Sequence, residues 1–338
     1  MSETMRVSVL YGIGELGIEQ RPVPDPGPGE VLIRVGSVGV CGSDVHYFEH
    51  GRIGPYVVDR PLVLGHEAGG RIAAVGPGVT TLLAGQRVSI EPGVPCRSCP
   101  QCLAGHYNLC PHVRFFATPP HDGAFAEYVV MPAAFVFAIP DSISDDEAGL
   151  IEPLSVGVWS CRRTGVSPSD RVLITGAGPI GLIAAQVARA FGAADVLVTD
   201  VNPERLALAE TMGFATLDVT GRSVAEHGYQ ADVLIECSGQ ARATWDAVST
   251  LAPAARAVLV GMGGDEVTLP LSYLQDRELV ITGAFRYANT WPTAIDLVAN
   301  GKVQLGPLVS GHFDLDHVAD ALTAARRDPT SMKPIVRP

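Results

Sequence analysis

Through the middle of the chain, short apolar runs alternate with longer stretches in which apolar residues recur at helical spacing. The pattern predicts strands over 172–175, 196–199, 215–218, 233–236, 258–260 and 279–282. Between them it predicts helices over 180–191, 203–212, 241–251 and 271–277. Strand–helix alternation of this kind implies an α/β fold, a doubly wound parallel sheet covered by helices on both faces.

On either side of this region the texture differs. The first part is rich in Gly and Pro and carries short β-like runs at 31–35 and 125–130, which points to an irregular, mainly β domain. After Phe285 the alternation stops, leaving a helix at 317–327 and an extended piece at 334–337. So short a tail is expected to pack back on the first domain. The expected domains are therefore 1–154, 155–285 and a return over 286–338. Neither an internal repeat nor a low-complexity segment is visible.

Composition narrows the function classes. Of 338 residues, 47% are apolar and 18% charged, enough apolar material for packed cores. The formal net charge of −12 argues against nucleic-acid partners, which need a basic surface, and against anionic membranes. No apolar segment is long enough to span a bilayer. The first residues show neither a basic region nor an apolar core of a signal peptide, so a cytoplasmic location is expected. The basic residues are almost all Arg; Lys302 and Lys333 are the two lysines.

Gly176-Ala-Gly178-Pro-Ile-Gly181 follows a predicted strand and opens a predicted helix. In that context the G-x-G-x-x-G motif reads as a dinucleotide site. Gly176 permits a tight turn, Gly178 a close approach of pyrophosphate, and Gly181 close helix–strand packing. The helix N-terminus adds partial positive charge. Asp200 ends the next strand, 22 residues after Gly178. A carboxylate there suits the ribose hydroxyls and repels a 2′-phosphate, which favours NAD over NADP. A glycine-rich structural turn followed by a solvated acid is the plainer alternative.

The seven cysteines are clustered, which in this setting reads as metal chemistry rather than a disulfide framework. Cys96-x₂-Cys99-x₂-Cys102-x₇-Cys110 can close a tetrahedral thiolate shell around one zinc ion, a structural site with no open position. An iron–sulfur cluster is the competing ligand set. Cys41-Gly-Ser-Asp-Val-His46 and Gly65-His66-Glu67 hold a second group: one thiolate, one imidazole and one carboxylate, leaving a fourth position for water or substrate. Taken singly, such residues are as often packing or surface positions. Cys161 and Cys237 lack metal-like spacing and read as small buried hydrophobes.

Five segments together carry a resemblance: the one opening at Cys41, Gly65-His-Glu-Ala-Gly-Gly, Arg114-Phe-Phe-Ala-Thr-Pro-Pro, Glu152-Pro-Leu-Ser-Val-Gly and Phe285-Arg-Tyr-Ala-Asn-Thr-Trp-Pro. In the same order and over nearly the whole chain, they resemble the polyol (sorbitol and xylitol) dehydrogenases of the medium-chain zinc alcohol dehydrogenase superfamily. The resemblance implies a GroES-like catalytic domain beside a Rossmann domain, and a homotetramer or homodimer. It implies Cys41, His66 and Glu67 as catalytic zinc ligands, with Glu152 on zinc or on its water. Ser43 and His46 would relay the proton, and Tyr47, Phe115, Glu152, Arg286 and Tyr287 would line the substrate pocket. Ile180, Asp200, Arg205, Val260, Gly261, Met262, Ala284, Phe285 and Arg286 would contact NAD. The implied reaction is oxidation of a secondary hydroxyl to a ketose. Other readings are a zinc dehydrogenase of threonine or a simple alcohol, and a non-catalytic, zinc-stabilised NAD-binding protein.

Overall fold

The computed structural model describes residues 3–264 and 266–338. They form two compact units, the described part of Met1–Glu152 together with Leu305–Pro338, and Pro153–Gln304.

The second unit is built on a six-stranded, all-parallel sheet. Its order is Ala215–Asp218, Asp195–Asp200, Arg171–Thr175, Ala231–Glu236, Leu251–Leu259, Val280–Gly283. Numbered by sequence this is 3-2-1-4-5-6, the doubly wound order whose ligand site lies at the reversal beside the first strand. The inner strands are buried on both faces, which is why Val172-Leu-Ile and Val233-Leu-Ile are unbroken apolar runs rather than alternating ones. The helix Pro179–Ala190 covers the first strand, with residues from Gly181 to Ala188 buried.

Several boundaries differ from expectation. The fifth strand is nine residues, Leu251–Leu259, so the preceding helix ends at Val248 rather than running to 251. Pro253 and Arg256 break the apolar run over this strand, so the pattern finds only its last residues. The return to the first unit begins at Leu305 rather than 286, because the helix Trp291–Ala299 packs in the second unit through buried Trp291, Ala294 and Val298.

In the first unit, a mainly antiparallel sheet runs in the order Val136–Ala138, Arg87–Ile90, Glu67–Val75, Glu30–Gly39, Lys333–Val336, Val309–Phe313. Tyr128–Pro132 also pairs with Glu30–Gly39; the strand expected at 125–130 starts three residues later. The tail contributes two of these strands, and its Ile335 lies opposite Gly39. The helix Asp145–Thr164 carries the boundary between the units at Glu152–Pro153. Its start is a capping box: Ser144 Oγ accepts the Glu147 N–H at 3.2 Å, and Glu147 Oε2 accepts the Ser144 N–H at 2.9 Å.

Candidate functional site

Cys41 stands between the strand Glu30–Gly39 and the helix Gly42–His50. Asp44, in the first turn of that helix, is wholly buried. Its Oδ2 accepts the Cys41 N–H and its Oδ1 the Gly65 N–H, each at 3.0 Å. One carboxylate thus ties the Cys41 segment to the His66 segment. His66 Nδ1 lies 3.6 Å from Asp44 Oδ1, the outer-shell position that orients a metal-ligating imidazole. Gly65 makes the turn into His66 at φ +87°, where a Cβ would meet the Phe125 ring at 2.7 Å.

The ligand atoms of Cys41, His66 and Glu67 lie within 4.8 Å of one another. Glu67 is buried; Lys333 Nζ holds its Oε1 and also donates to Val40 O at 3.0 Å. Glu67 Oε2 is buried with no hydrogen-bond partner. A thiol, an imidazole and an unsatisfied carboxylate oxygen at this spacing fit a zinc ion with an open position. Gly39 makes the geometry possible, since a Cβ there would stand 2.1 Å from Glu67 Oε2. Gly39 is opposite Glu67 on one side and Ile335 on the other, so register brings Lys333 across the glycine to the carboxylate.

The field here favours positive charge. Burial opposes charge on His66, yet Asp44 and Cys41 hold its pKa well above the ordinary imidazole value. Burial likewise opposes charge on Lys333, and Glu67 and Cys41 overcome it.

Glu152 is buried, and its charge acts on Lys333 and on Glu91, but among the described residues it stands outside the three-ligand group. Phe115 is buried with its ring 5.7 Å from that of His66. Tyr47 is buried on the helix that Cys41 opens; Ser43 is half-buried there, and His46 is exposed with its ring 4.7 Å from that of His50.

The four-cysteine group also assembles, with all four sulfurs within 4.8 Å. Cys96 and Cys102 are 3.9 Å apart and Cys99 and Cys102 3.4 Å, close to the ~3.8 Å edge of a tetrahedron with zinc–sulfur bonds of about 2.3 Å. Backbone N–H groups of Cys96, Cys99, Cys102 and His112 point at the sulfurs over 3.3–3.5 Å, as suits thiolates. The loop is braced by the helix Pro100–Leu103 and a turn at Tyr107–Leu109.

In the second unit Gly176 turns at φ +85°, and a Cβ on Gly181 would lie 1.8 Å from Gly176 O, so both glycines are sterically required. At Gly178 a Cβ would meet only Arg205 Nη1, at 3.8 Å, which leaves the loop open to a ligand. Arg205 Nε is buried without a partner, as an anion site would leave it. Asp200 Oδ2 accepts the Ala177 N–H at 2.6 Å, and Oδ1 accepts those of Val201 and Asn202 at 2.8 and 2.9 Å. Acceptor capacity remains on Oδ2 for a ribose hydroxyl. These observations fit a dinucleotide.

Ile180 is half-buried in the first turn of the following helix. Val260 and Gly261 both donate to Glu236 O, Met262 and Phe285 are largely exposed, and Ala284 is half-buried. Arg286 adopts φ 54° with its guanidinium 4.8 Å over the Phe285 ring, and Tyr287 is buried edge-on against Trp291. Cys161 is buried, whereas Cys237 is only half-buried.

Three residues escaped the sequence reading. Glu236 Oε1 gathers Thr175 Oγ1 and the N–H groups of Ser238 and Gly239, fixing the loop beside the glycine turn. Asp44 lies between Cys41 and His46 along the chain, and nothing local in the sequence singles it out. Lys333, a lone cation in the run Met332-Lys-Pro-Ile-Val, carried a usable signal: a charge in an apolar strand needs a partner.

Comparison with known proteins agrees with this geometry. Residues 27–141 match the alcohol dehydrogenase GroES-like domain, and residues 179–300 the zinc-binding dehydrogenase domain. Sorbitol dehydrogenase of Gallus gallus is 43% identical, with 96% of this chain and 97% of that protein covered. Sorbitol dehydrogenase of Bacillus subtilis is 43% identical, over 96% and 94%. The crystal structure of L-idonate 5-dehydrogenase from Escherichia coli superposes with a TM-score of 0.93 at 28% identity, covering 100% of this chain and 99% of that one. Two zinc-type ligand groups, a glycine turn on a doubly wound sheet and this end-to-end likeness lead to one assignment: the chain belongs to the medium-chain, zinc-dependent alcohol dehydrogenase family.

Proposed function

We propose that the protein oxidises a secondary hydroxyl of a polyol to a ketone, reversibly, with NAD as hydride acceptor. The observation that carries this reading is the 43% identity to sorbitol dehydrogenases over nearly the whole chain. Zinc held by Cys41, His66 and Glu67 would polarise the substrate hydroxyl, and NAD on the glycine turn would take the hydride.

The chain's own residues supply positioning and proton movement. Ser43 and His46 share a face of their helix at i, i+3 spacing, one half-buried and one exposed, so the pair leads a proton outward. Glu152 would hold a neighbouring hydroxyl or a water. Tyr47 and Phe115 would exclude solvent, and Arg286 and Tyr287 would receive further hydroxyls. Asp200 and Arg205 would hold the adenosine ribose, with Ile180, Val260, Gly261, Met262, Ala284 and Phe285 along the rest of the cofactor. The reading includes a cytoplasmic dimer or tetramer.

The test is initial rates with sorbitol, xylitol and other polyols against 2-butanol and threonine, with NAD and with NADP. Polyols with NAD should give the highest kcat/KM, and Arg286→Ala should depress polyols far more than 2-butanol. If 2-butanol or threonine exceeds every polyol, the polyol reading is wrong; comparable kcat/KM with NADP removes the cofactor preference.

A further inference from the structure

We propose that His46 and His50, both exposed on the helix Gly42–His50, form a chelate site for a divalent transition-metal ion, and that filling this site inhibits turnover reversibly. Of the nine histidines, they are the one pair spaced four residues apart. On a helix that spacing places two side chains on one face, a turn apart. It is also the spacing by which a helix offers two imidazoles to one metal ion.

The helix holds the pair rigidly. Tyr47 and Phe48 anchor it in the core of the first unit. Gly51, at φ 68°, closes its last turn by donating to Tyr47 O at 2.9 Å, so His50 stays one turn from His46. The two ring centres are 4.7 Å apart. A metal ion bonded at ~2.1 Å to an imidazole nitrogen lies ~3.2 Å from the ring centre, and two such rings at right-angle to tetrahedral geometry have centres ~4.5–5.2 Å apart. The observed separation falls inside that range. The backbone needs no change, because exposed rings turn their nitrogens toward a shared ion by rotation about χ2.

The nitrogens are available. Among the described residues, the ion pairs of histidine belong to His66, His312 and His317. Neither His46 nor His50 makes a side-chain hydrogen bond there; their contact is with each other. Imidazole donors select Ni²⁺, Cu²⁺ and Zn²⁺ over Mg²⁺ and Ca²⁺. Glu49 completes the pattern His-x-x-Glu-His, but its Oε2 pairs with Arg326 at 2.6 Å, so it is not placed to activate a metal-bound water. The site therefore binds a metal ion with two protein ligands and water in the remaining positions. The inhibitory part rests on the relay reading of His46 given above: an ion on that ring occupies the lone pair that a passing proton needs.

The test is calorimetric titration of the zinc-loaded protein with Ni²⁺, with zinc content measured before and after to exclude exchange at the two zinc groups. Wild type should take up one Ni²⁺ per chain with zinc content unchanged, and Mg²⁺ at the same concentration should not bind. His50→Gln should weaken Ni²⁺ by about tenfold or more, at least the loss seen when a supporting partner of a ligand is removed. Without Ni²⁺, His50→Gln should turn over like wild type. With Ni²⁺ at a level that fills the site, wild-type turnover should fall and recover on dilution, and His50→Gln should resist. Melting temperatures equal to wild type would show the fold intact; if His50→Gln is unstable, His46→Gln gives the same binding readout. Equal Ni²⁺ affinity in wild type and both variants overturns the site. Binding that depends on His50 but leaves turnover untouched keeps the site and overturns its inhibitory role, and with it the relay reading of His46.

Discussion

At the scale of single residues, the proposed catalytic metal site depends on partners outside its candidate ligand set. Lys333 neutralises Glu67 in a buried setting, and removing one member of such a pair costs about 3–5 kcal/mol because the other charge stays buried. Lys333→Met is therefore expected to lower the melting temperature and the zinc content at the catalytic site, as calorimetry and metal analysis would show; unchanged values would mean Glu67 has another counter-charge. Asp44→Asn should weaken zinc retention by about 10–100-fold, read by competition with a chelator. Glu91 offers a pH prediction. Burial pushes its carboxyl up to about 7, with a Tyr107 hydrogen bond opposing and Glu152 adding to the rise. The folded state then binds this proton more tightly than the unfolded state. Its stabilisation is full below the ordinary glutamate range and is lost as pH rises toward 7, by roughly 3 kcal/mol over that window. Glu91→Gln should flatten this part of the stability–pH curve between pH 5 and 8; a curve that still falls as steeply assigns the loss to another group.

At the scale of elements, the two candidate ligand groups are expected to have different jobs because they sit on different kinds of structure. The four cysteines brace a loop whose only regular pieces are the short helix Pro100–Leu103 and the turn Tyr107–Leu109. That segment has little core of its own, so a metal crosslink there would supply much of its stability. Cys41, His66 and Glu67 instead stand at the ends of the nine-residue helix Gly42–His50 and two paired strands that fold around buried Asp44. Cys99→Ser should thus lower thermal stability or solubility before it touches turnover in the surviving protein. Cys41→Ser should abolish turnover with a melting temperature near wild type. The reverse pattern, with Cys41→Ser the unstable variant, would exchange the two roles. The helix Asp145–Thr164 has a start signal in the sequence, since Ser144-Asp-Asp-Glu147 before an apolar run is a capping-box signature, while Pro153 in the interior argues against a helix this long.

At the scale of the whole molecule, the last residues complete the first unit. Lys333–Val336 is buried throughout and lies between Glu30–Gly39 and Val309–Phe313. A chain ending at Met332 should lose soluble expression or most of its stability, because it loses both a central strand and the Glu67 counter-charge; a truncated chain that melts like wild type would refute this. The parallel sheet, the glycine turn and the four-cysteine loop were legible in the sequence, since each is written in residues close together along the chain: buried parallel strands are continuous apolar runs, and the dinucleotide turn and the four-cysteine loop are local spacings. Cys41 and His66 stand far apart along the chain, and their grouping was implied by the family resemblance rather than by spacing. Asp44, Glu236 and Lys333 acquire their roles only through partners from other segments, Lys333 and Glu67 being 266 positions apart. The return of the chain at Leu305 is of the same kind, because whether Trp291 and Val298 bury in the second unit depends on the surface they meet. Local spacing determines which chemistry a segment can offer; long-range register, here Gly39 between Glu67 and Ile335, decides which charges meet.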